Sequence, residues 1–359
     1  MISLVTYSYN DHEFVLDLLE KAKDLQPFVA EIIVVDDGST PAFPLVAGHN
    51  SNIRIITHQN NRGPAEAKKI GLNAATQSFI LSVDSDIRFH RNWLLSALAA
   101  LRDDEVGLVG ARILNKDFGD PLSKALHYES LARPAAEPSL FAPGGLWLLR
   151  QTTFHALGGL NDYMQSTHED WHFSRKVTGA GLRIVVNWAF PATQVRRIRR
   201  KAHIRRDCLY FEDSYRRIIE KRPADAVIAL MAEEVEQALA IALKFHCPLL
   251  VYLCVAKLLR IMTSISGAYS SHEAMRQVST SLDAAFGRYP AVAAALRSDC
   301  DITLCTSPGP STVGSMASIL QYMRRLVGES VLHCLDSDTI PASNAHEASG
   351  TYNFHYASQ

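Results

Sequence analysis

Three acidic segments and one basic segment carry the residue types that could do chemistry in this chain. Asp36-Asp37-Gly38-Ser39 sets two adjacent carboxylates before a glycine turn. Such a pair can accept hydrogen bonds from a nucleobase or a ribose, although a plain polar turn explains the same residues. Asp84-Ser85-Asp86 spaces carboxylates at i and i+2, so both can reach one hard divalent cation, Mg²⁺ or Mn²⁺, completed by phosphate oxygens. His168-Glu169-Asp170 opens a helix ending at Gly179-Ala180-Gly181. Carboxylates in a first turn suit the helix dipole, so capping, with Thr167 or Ser166 as the cap, also accounts for them. The basic run from Arg196 to Arg206 is the strongest charge cluster. It is a candidate for a diphosphate, for another anionic partner or for peripheral membrane contact, and a solvated helix face is the simpler alternative. It lacks the interleaved aromatics of a single-strand nucleic-acid surface, and no nucleic-acid partner is expected.

These segments need elements that bring them to one place. Ile2–Tyr9, Glu31–Val35, Ile53–His58 and Phe79–Val83 read as strands, with helices over Glu13–Leu25 and Ala65–Ala75. The alternation predicts an α/β domain with a mainly parallel sheet, helices on both faces and ligands at the carboxyl ends of the strands. The first two acidic segments fall at such ends. A helix over Trp93–Leu101, a strand over Val106–Ile113, a helix starting near Thr167 and a strand over Leu182–Trp188 extend the pattern. The first domain is placed at residues 1–205. Longer helical periods then predict an all-α C-terminal domain over 206–334, with Met231, Met262, Cys247 and Cys254 on apolar faces, and a tail over 335–359. The appended helices are candidates for acceptor binding or for a homo-oligomer interface.

The chain has 359 residues, about two domains' worth, and 47% hydrophobic residues, enough to build a packed core. With 36 basic against 37 acidic side chains, no global field draws it to nucleic acid or to a membrane. No signal peptide and no transmembrane segment are expected, and six cysteines without a C-x-x-C pair fit a reducing cytoplasmic setting.

The order of Thr6-Tyr7-Ser8-Tyr9-Asn10, Val35-Asp36-Asp37-Gly38-Ser39, Asn61-Arg62-Gly63, Asp84-Ser85-Asp86 and Glu169-Asp170 resembles family 2 glycosyltransferases of the GT-A fold. The stretch from Arg150 through Gly158-Gly159-Leu160-Asn161-Asp162, and that from Glu169 to Ile184, are similar to further segments of that family. The resemblance covers about residues 1–200 and implies a nucleotide-diphospho-sugar donor, a UDP-sugar first among the candidates, with Mn²⁺ or Mg²⁺ on the diphosphate. It implies Tyr7 and Tyr9 beside the base, and Asp36 or Asp37 on base or ribose. Asp86 is implied as direct metal ligand, Asp84 on ribose or metal, and Lys68 stands where the family commonly has Arg. Inversion is the usual outcome in the family, with Asp170, or Glu169 beside it, as the base that deprotonates the acceptor. The acceptor class stays open among saccharide, lipid-linked, small-molecule and polypeptide nucleophiles.

Two departures from the family pattern stand out. Arg197 occupies the place of a metal-binding His, so either His203 stands in or Arg197 itself neutralises the diphosphate. Lys69 replaces the usual Asn. The alternative reading is a catalytically impaired sugar-nucleotide-binding or scaffold protein of the same fold.

Overall fold

The computed structural model describes residues 1–44, 52–132, 138–163 and 168–198, with scattered positions between 233 and 254. The chain divides into two compact units, Met1–Lys116 with Ala135–Arg196, and Asp117–Pro134 with Arg197–Gln359.

The elements run β1 (Ile2–Ser8), α1 (His12–Ala22), β2 (Val29–Asp36), β3 (Ile53–Thr57), α2 (Pro64–Asn73), β4 (Phe79–Val83) and β5 (Ile87–Arg88). They continue through α3 (Arg91–Ala100), β6 (Val106–Asn115), α4 (Pro121–Ala132), β7 (Leu146–Arg150), α5 (Gln151–Ala156), α6 (Glu169–Gly179) and β8 (Arg183–Gln194). All but α4 belong to the first unit. Its eight strands form one sheet in the order β3-β2-β1-β4-β7-β6-β8-β5. The β3-β2-β1-β4 half is parallel, as the strand-helix alternation predicts. β7 then enters antiparallel to both β4 and β6, and β5 pairs antiparallel with β8, so the sheet is mixed.

The two-residue period of the strands sorts their side chains onto two buried faces. Leu4, Val34, Leu81 and Leu148 pack with Val15 and Leu18 of α1 and Trp93 of α3. Their immediate neighbours Val5, Ile33, Val35, Ile80 and Trp147 pack on the other side with Leu72 of α2, Phe154 of α5, and Phe173 and Val177 of α6. Burial on both faces explains why these strands read as continuous apolar runs rather than alternating ones. With the strand centres buried on both faces, the polar ends of β1, β2 and β4 are left at one edge, which is where the acidic segments begin.

In the second unit, Asp120 precedes α4 and accepts from the Ser123 amide at 3.0 Å, while Tyr128 stacks on Phe245 with centroids 4.5 Å apart. Positions described within 233–254 are largely helical, and Cys247 is buried. Residues 199–232, including His203 and Met231, and everything after 254, including Met262 and the tail expected over 335–359, lie outside the described residues. No helix among the described residues is long and apolar enough to cross a membrane.

Leu148, fully buried at the centre of β7, tests this packing. Leu148→Ala should cost about 2–5 kcal/mol, read as a lower urea midpoint at unchanged slope; a loss under about 1 kcal/mol would contradict its place in the core.

Candidate active site

The first acidic turn spends most of its acceptor capacity on its own loops. Asp36 is buried at the end of β2 and accepts from the amides of Ser39 at 3.2 Å and Phe43 at 2.8 Å. Asp37 accepts from the amides of Arg62 at 3.0 Å and Gly63 at 2.9 Å, and its Oδ1 lies 2.7 Å from His58 Nδ1. The second and third sequence motifs are thereby tied together. Gly38 permits this with φ of 77° and an approach to Asn60 so close that a Cβ would lie 2.6 Å from its carbonyl carbon. Asn10 adds the first motif: its amide donates to Ser39 Oγ at 2.9 Å and its side-chain oxygen accepts from the Thr40 amide at 2.8 Å. Three of the roughly four acceptor positions of Asp37 are thereby filled.

Lys68 of α2 is the centre of the site. Its ammonium is 1% exposed and donates to Glu169 Oε1 at 2.8 Å and to the carbonyl of Gly144 at 3.0 Å, with Asp84 Oδ1 at 3.3 Å. The rings of Tyr7 and Trp147 lie 5.7 and 5.2 Å away. Burial alone would favour the neutral amine, but the carboxylates of Asp84 and Glu169 more than reverse this and hold the pKa of Lys68 well above its ordinary value. Burial likewise pushes Glu169 up, and Lys68 outweighs it, leaving Glu169 below the usual carboxylate range. The Tyr7 phenol is pushed well above its ordinary pKa by burial and by the Asp84 carboxylate.

Asp170 is oriented by backbone. Its Oδ2 accepts from the Gly144 amide at 3.1 Å and its Oδ1 from the Trp171 amide at 2.8 Å. Gly144 therefore serves Lys68 with its carbonyl and Asp170 with its amide. A Cβ there would sit 3.0 Å from Lys68 Nζ, 3.1 Å from Glu169 Oε1 and 3.2 Å from Asp170 Cβ, so any larger residue would push on all three groups of this crossing. The residue preceding the helix is His168, with φ of 73°, and it makes no side-chain cap hydrogen bond. Both carboxylates of α6 are thus directed to Lys68 and to backbone amides, a richer set of partners than capping alone.

The Asp84-Ser85-Asp86 turn after β4 is held from β8. Asp86 Oδ2 accepts from Gln194 Nε2 at 3.1 Å and Arg196 Nε at 2.8 Å, and the Asp86 carbonyl accepts from the Val195 amide at 2.8 Å. Arg196 Nη2 also donates to Asp11 Oδ2, itself bonded by Ser85 Oγ at 2.9 Å, while Ser8 Oγ reaches Asp11 Oδ1 at 2.8 Å. Burial raises Asp11, and the hydrogen bonds from Arg196, Ser8 and Ser85 more than offset it, so Asp11 lies below the ordinary value. Asp84 is pushed up to about 6, first by burial of its carboxyl group, then by Asp86 and Glu169 against the opposing pull of Lys68.

No group of three or more His, Cys, Asp or Glu side chains is arranged to hold a metal ion among the described residues. The donor set still suits a hard cation. Asp84 Oδ1 is buried with no hydrogen-bond partner despite the nearby ammonium, and two carboxylates completed by phosphate oxygens are how Mg²⁺ and Mn²⁺ are commonly held on nucleotides. Asp84 and Asp86 therefore fit the cation that the sequence motif implies.

Tyr7, Lys68, Asp84, Glu169 and Asp170 converge around Gly144, and Asp86 sits two residues beyond Asp84. Tyr9 is 50% exposed beyond the end of β1. Arg197 pairs with Asp120 at 2.9 Å and lies over the Phe118 ring in the second unit, while its neighbour Arg196 engages Asp86. Asp11 and Gly144 lie outside the sequence motifs, and Arg196 entered them only as the first residue of the basic run.

The sequence model for "Glycosyl transferase family 2" matches residues 3–158. Pre-mycofactocin glycosyltransferase of Mycobacterium tuberculosis is 30% identical over 195 residues, covering 49% of this chain and 41% of that protein. Glycosyltransferase GlyG of Streptococcus pneumoniae is 28% identical over 127 residues, covering 33% of this chain and 41% of that protein. The chain thus spans well under half the length of these relatives. Among solved structures, the mannosyltransferase PcManGT from Pyrobaculum calidifontis in complex with GDP-Man and Mn²⁺ has 18% identity and a TM-score of 0.46, covering 91% of this chain and 87% of that one.

The buried cation predicts a pH-dependent defect. Lys68→Met leaves Glu169 buried without its counter-ion and should destabilise the protein by about 3–5 kcal/mol at pH 7. In the native protein Glu169 is depressed by Lys68, so its favourable contribution is present above the unfolded carboxylate pKa and is lost as pH falls through the lower folded value. In the variant the unpaired carboxyl gains by protonation instead, so the gap between the two proteins should narrow from pH 7 to pH 5. Denaturant melts at both values measure this, and a gap that stays constant or widens would contradict the pairing.

Proposed function

We propose that this chain, which carries a family 2 glycosyltransferase domain over residues 3–158, moves a sugar from a nucleotide-diphospho-sugar to an acceptor hydroxyl with inversion at the anomeric carbon. The observation that carries the reading is the convergence on Gly144: Lys68 ties the acidic turn after β4 to Glu169, and the next residue, Asp170, is aimed by the Gly144 amide. Donor-side and acceptor-side carboxylates are in this way held in one rigid arrangement.

The donor's nucleoside is assigned to the edge formed by β1 and β2. Tyr7 and Tyr9 supply aromatic surface, and the remaining acceptor position of Asp37 takes a base or ribose donor group, with Asp36 holding the loop it depends on. Asp86 and Asp84 would hold a divalent cation, Mn²⁺ or Mg²⁺, which when bound offsets the negative charge developing on the departing diphosphate. A UDP-sugar is the first donor to test.

Asp170 acts as general base. Successive residues on a helix point about 100° apart, so Glu169 and Asp170 cannot both face the acceptor. Glu169 is committed to Lys68, and its lowered basicity suits a positioning role. Asp170 accepts the hydroxyl proton as the oxygen attacks, the new glycosidic C–O bond forms, and the bond from the anomeric carbon to the diphosphate oxygen breaks. The nucleoside diphosphate departs with the bonding electrons. The Gly144 and Trp171 amides steady the carboxylate without supplying a competing proton acceptor.

Asp170→Asn keeps the shape and cannot take the proton. It should lower kcat by about 10²-fold or more while leaving donor affinity by calorimetry near that of the parent. If Asp170→Asn turns over normally and Glu169→Gln does not, the two roles are reversed. Donor binding with no transfer or donor hydrolysis in the unaltered protein would instead favour the sugar-nucleotide-binding alternative.

A further inference from the structure

We infer that Arg196 is a built-in counter-ion of Asp86 that a divalent cation must displace, so that the donor-free site resists the metal and accepts it together with the diphosphate. The inference deepens the proposed function and rests on its assignment of Asp86 as a metal ligand.

The guanidinium is bound on two sides. Arg196 Nε donates to Asp86 Oδ2 at 2.8 Å, its Nη2 donates to Asp11 Oδ2 and reaches Ser85 Oγ at 3.3 Å, and its plane lies 4.6 Å from the Phe14 ring centre. Asp86 Oδ2 also accepts from Gln194. One of the two Asp86 oxygens open to a cation is therefore already facing a full positive charge. A metal ion bound at that carboxylate would have to share its single negative charge with the guanidinium, an unfavourable arrangement at a few ångströms.

The second anchor, Asp11, governs where the guanidinium goes once Asp86 is released. Asp11 is held by Ser8 Oγ, Ser85 Oγ and the Tyr9 amide at 2.8–2.9 Å, and its side chain is 11% exposed. The Arg196 side chain is 38% exposed and so has room to turn about that anchor. Asp11 keeps the guanidinium beside the turn after Asp86 has changed partners. A planar fork of donors left next to a cation site is suited to phosphate oxygens, so the arriving diphosphate supplies the negative charge that reconciles the two cations. Metal and nucleotide then bind with positive coupling, each raising the affinity for the other by the same factor.

The test is Mn²⁺ binding to the full chain, followed by electron paramagnetic resonance of the free ion, without nucleotide and with saturating UDP. Arg196→Gln should tighten nucleotide-free Mn²⁺ binding by about tenfold or more and shrink the enhancement produced by UDP. Circular dichroism checks that the variant is folded. Should it not be, Arg196→Lys, which keeps one charge but cannot span both carboxylates, should give a smaller tightening in the same direction. Unchanged or weaker Mn²⁺ binding in the folded variants, with the UDP enhancement intact, would overturn the inference. Asp86→Asn separates the two levels of argument: if it leaves Mn²⁺ binding with UDP unaltered, the metal assignment itself fails, whereas loss of binding there with no effect at Arg196 removes only the counter-ion role.

Discussion

An ammonium group with almost no access to water has to find its acceptors within the protein, and the site around Lys68 is organised by that requirement. Its three oxygen partners come from the end of β4, from the segment before β7 and from the start of α6. Each of these must be brought to within about one hydrogen-bond length of the ammonium. The sheet order makes this possible, because β7 lies directly beside β4, and β4 lies beside β1, against which α2 packs. The positions of Glu169 and Asp170 are thus consequences of satisfying a buried charge. Gly144 is a tight point, because its two peptide groups serve both sides and a Cβ would crowd Lys68, Glu169 and Asp170 together.

The carboxylates at this edge divide by what occupies their lone pairs. Those of Asp36 and Asp37 are filled largely by amides of the loops they begin, so this acidic turn mainly builds the surface on which a nucleoside would rest. Asp84 has an oxygen with no hydrogen bond and a raised pKa, the signature of a carboxyl group whose environment is incomplete. Asp170 accepts from two backbone amides, whereas Glu169 and Asp86 are paired with full positive charges. Similar residue types in neighbouring positions therefore have distinct capacities to bind metal or accept a proton. Spacing in the chain cannot express these differences, because the partners come from other elements.

Much of the fold is nevertheless readable from local pattern. The strand over Phe79–Val83 and the parallel β3-β2-β1-β4 half follow from apolar runs separated by helical periods. The antiparallel half does not. β7 is a run of four apolar residues and Arg150 next to two glycines, and nothing within it states which neighbours it joins or in which direction. β5 has only two residues and exists because β8 runs past it. Such strands are defined by long-range pairing and leave a weak local signal. The consequence for the site is direct, since β7 follows the glycine that carries Asp170.

At the level of single side chains, periodicity resolves two choices between adjacent basic residues. In α2, Lys68 shares a face with Ala65 and Leu72 at helical spacing, all three buried, whereas Lys69 pairs with Glu66 beside it. The buried lysine is identified by its phase. In the extended chain leaving β8, Gln194 and Arg196 are two residues apart and both reach Asp86, while Arg197 points to Asp120. Alignment to a family motif selects Arg197 by counting positions, and strand geometry selects Arg196 by direction. What counting leaves out is that a side chain acts where its backbone aims it, and a shift of one residue exchanges a charge on Asp86 for one on Asp120.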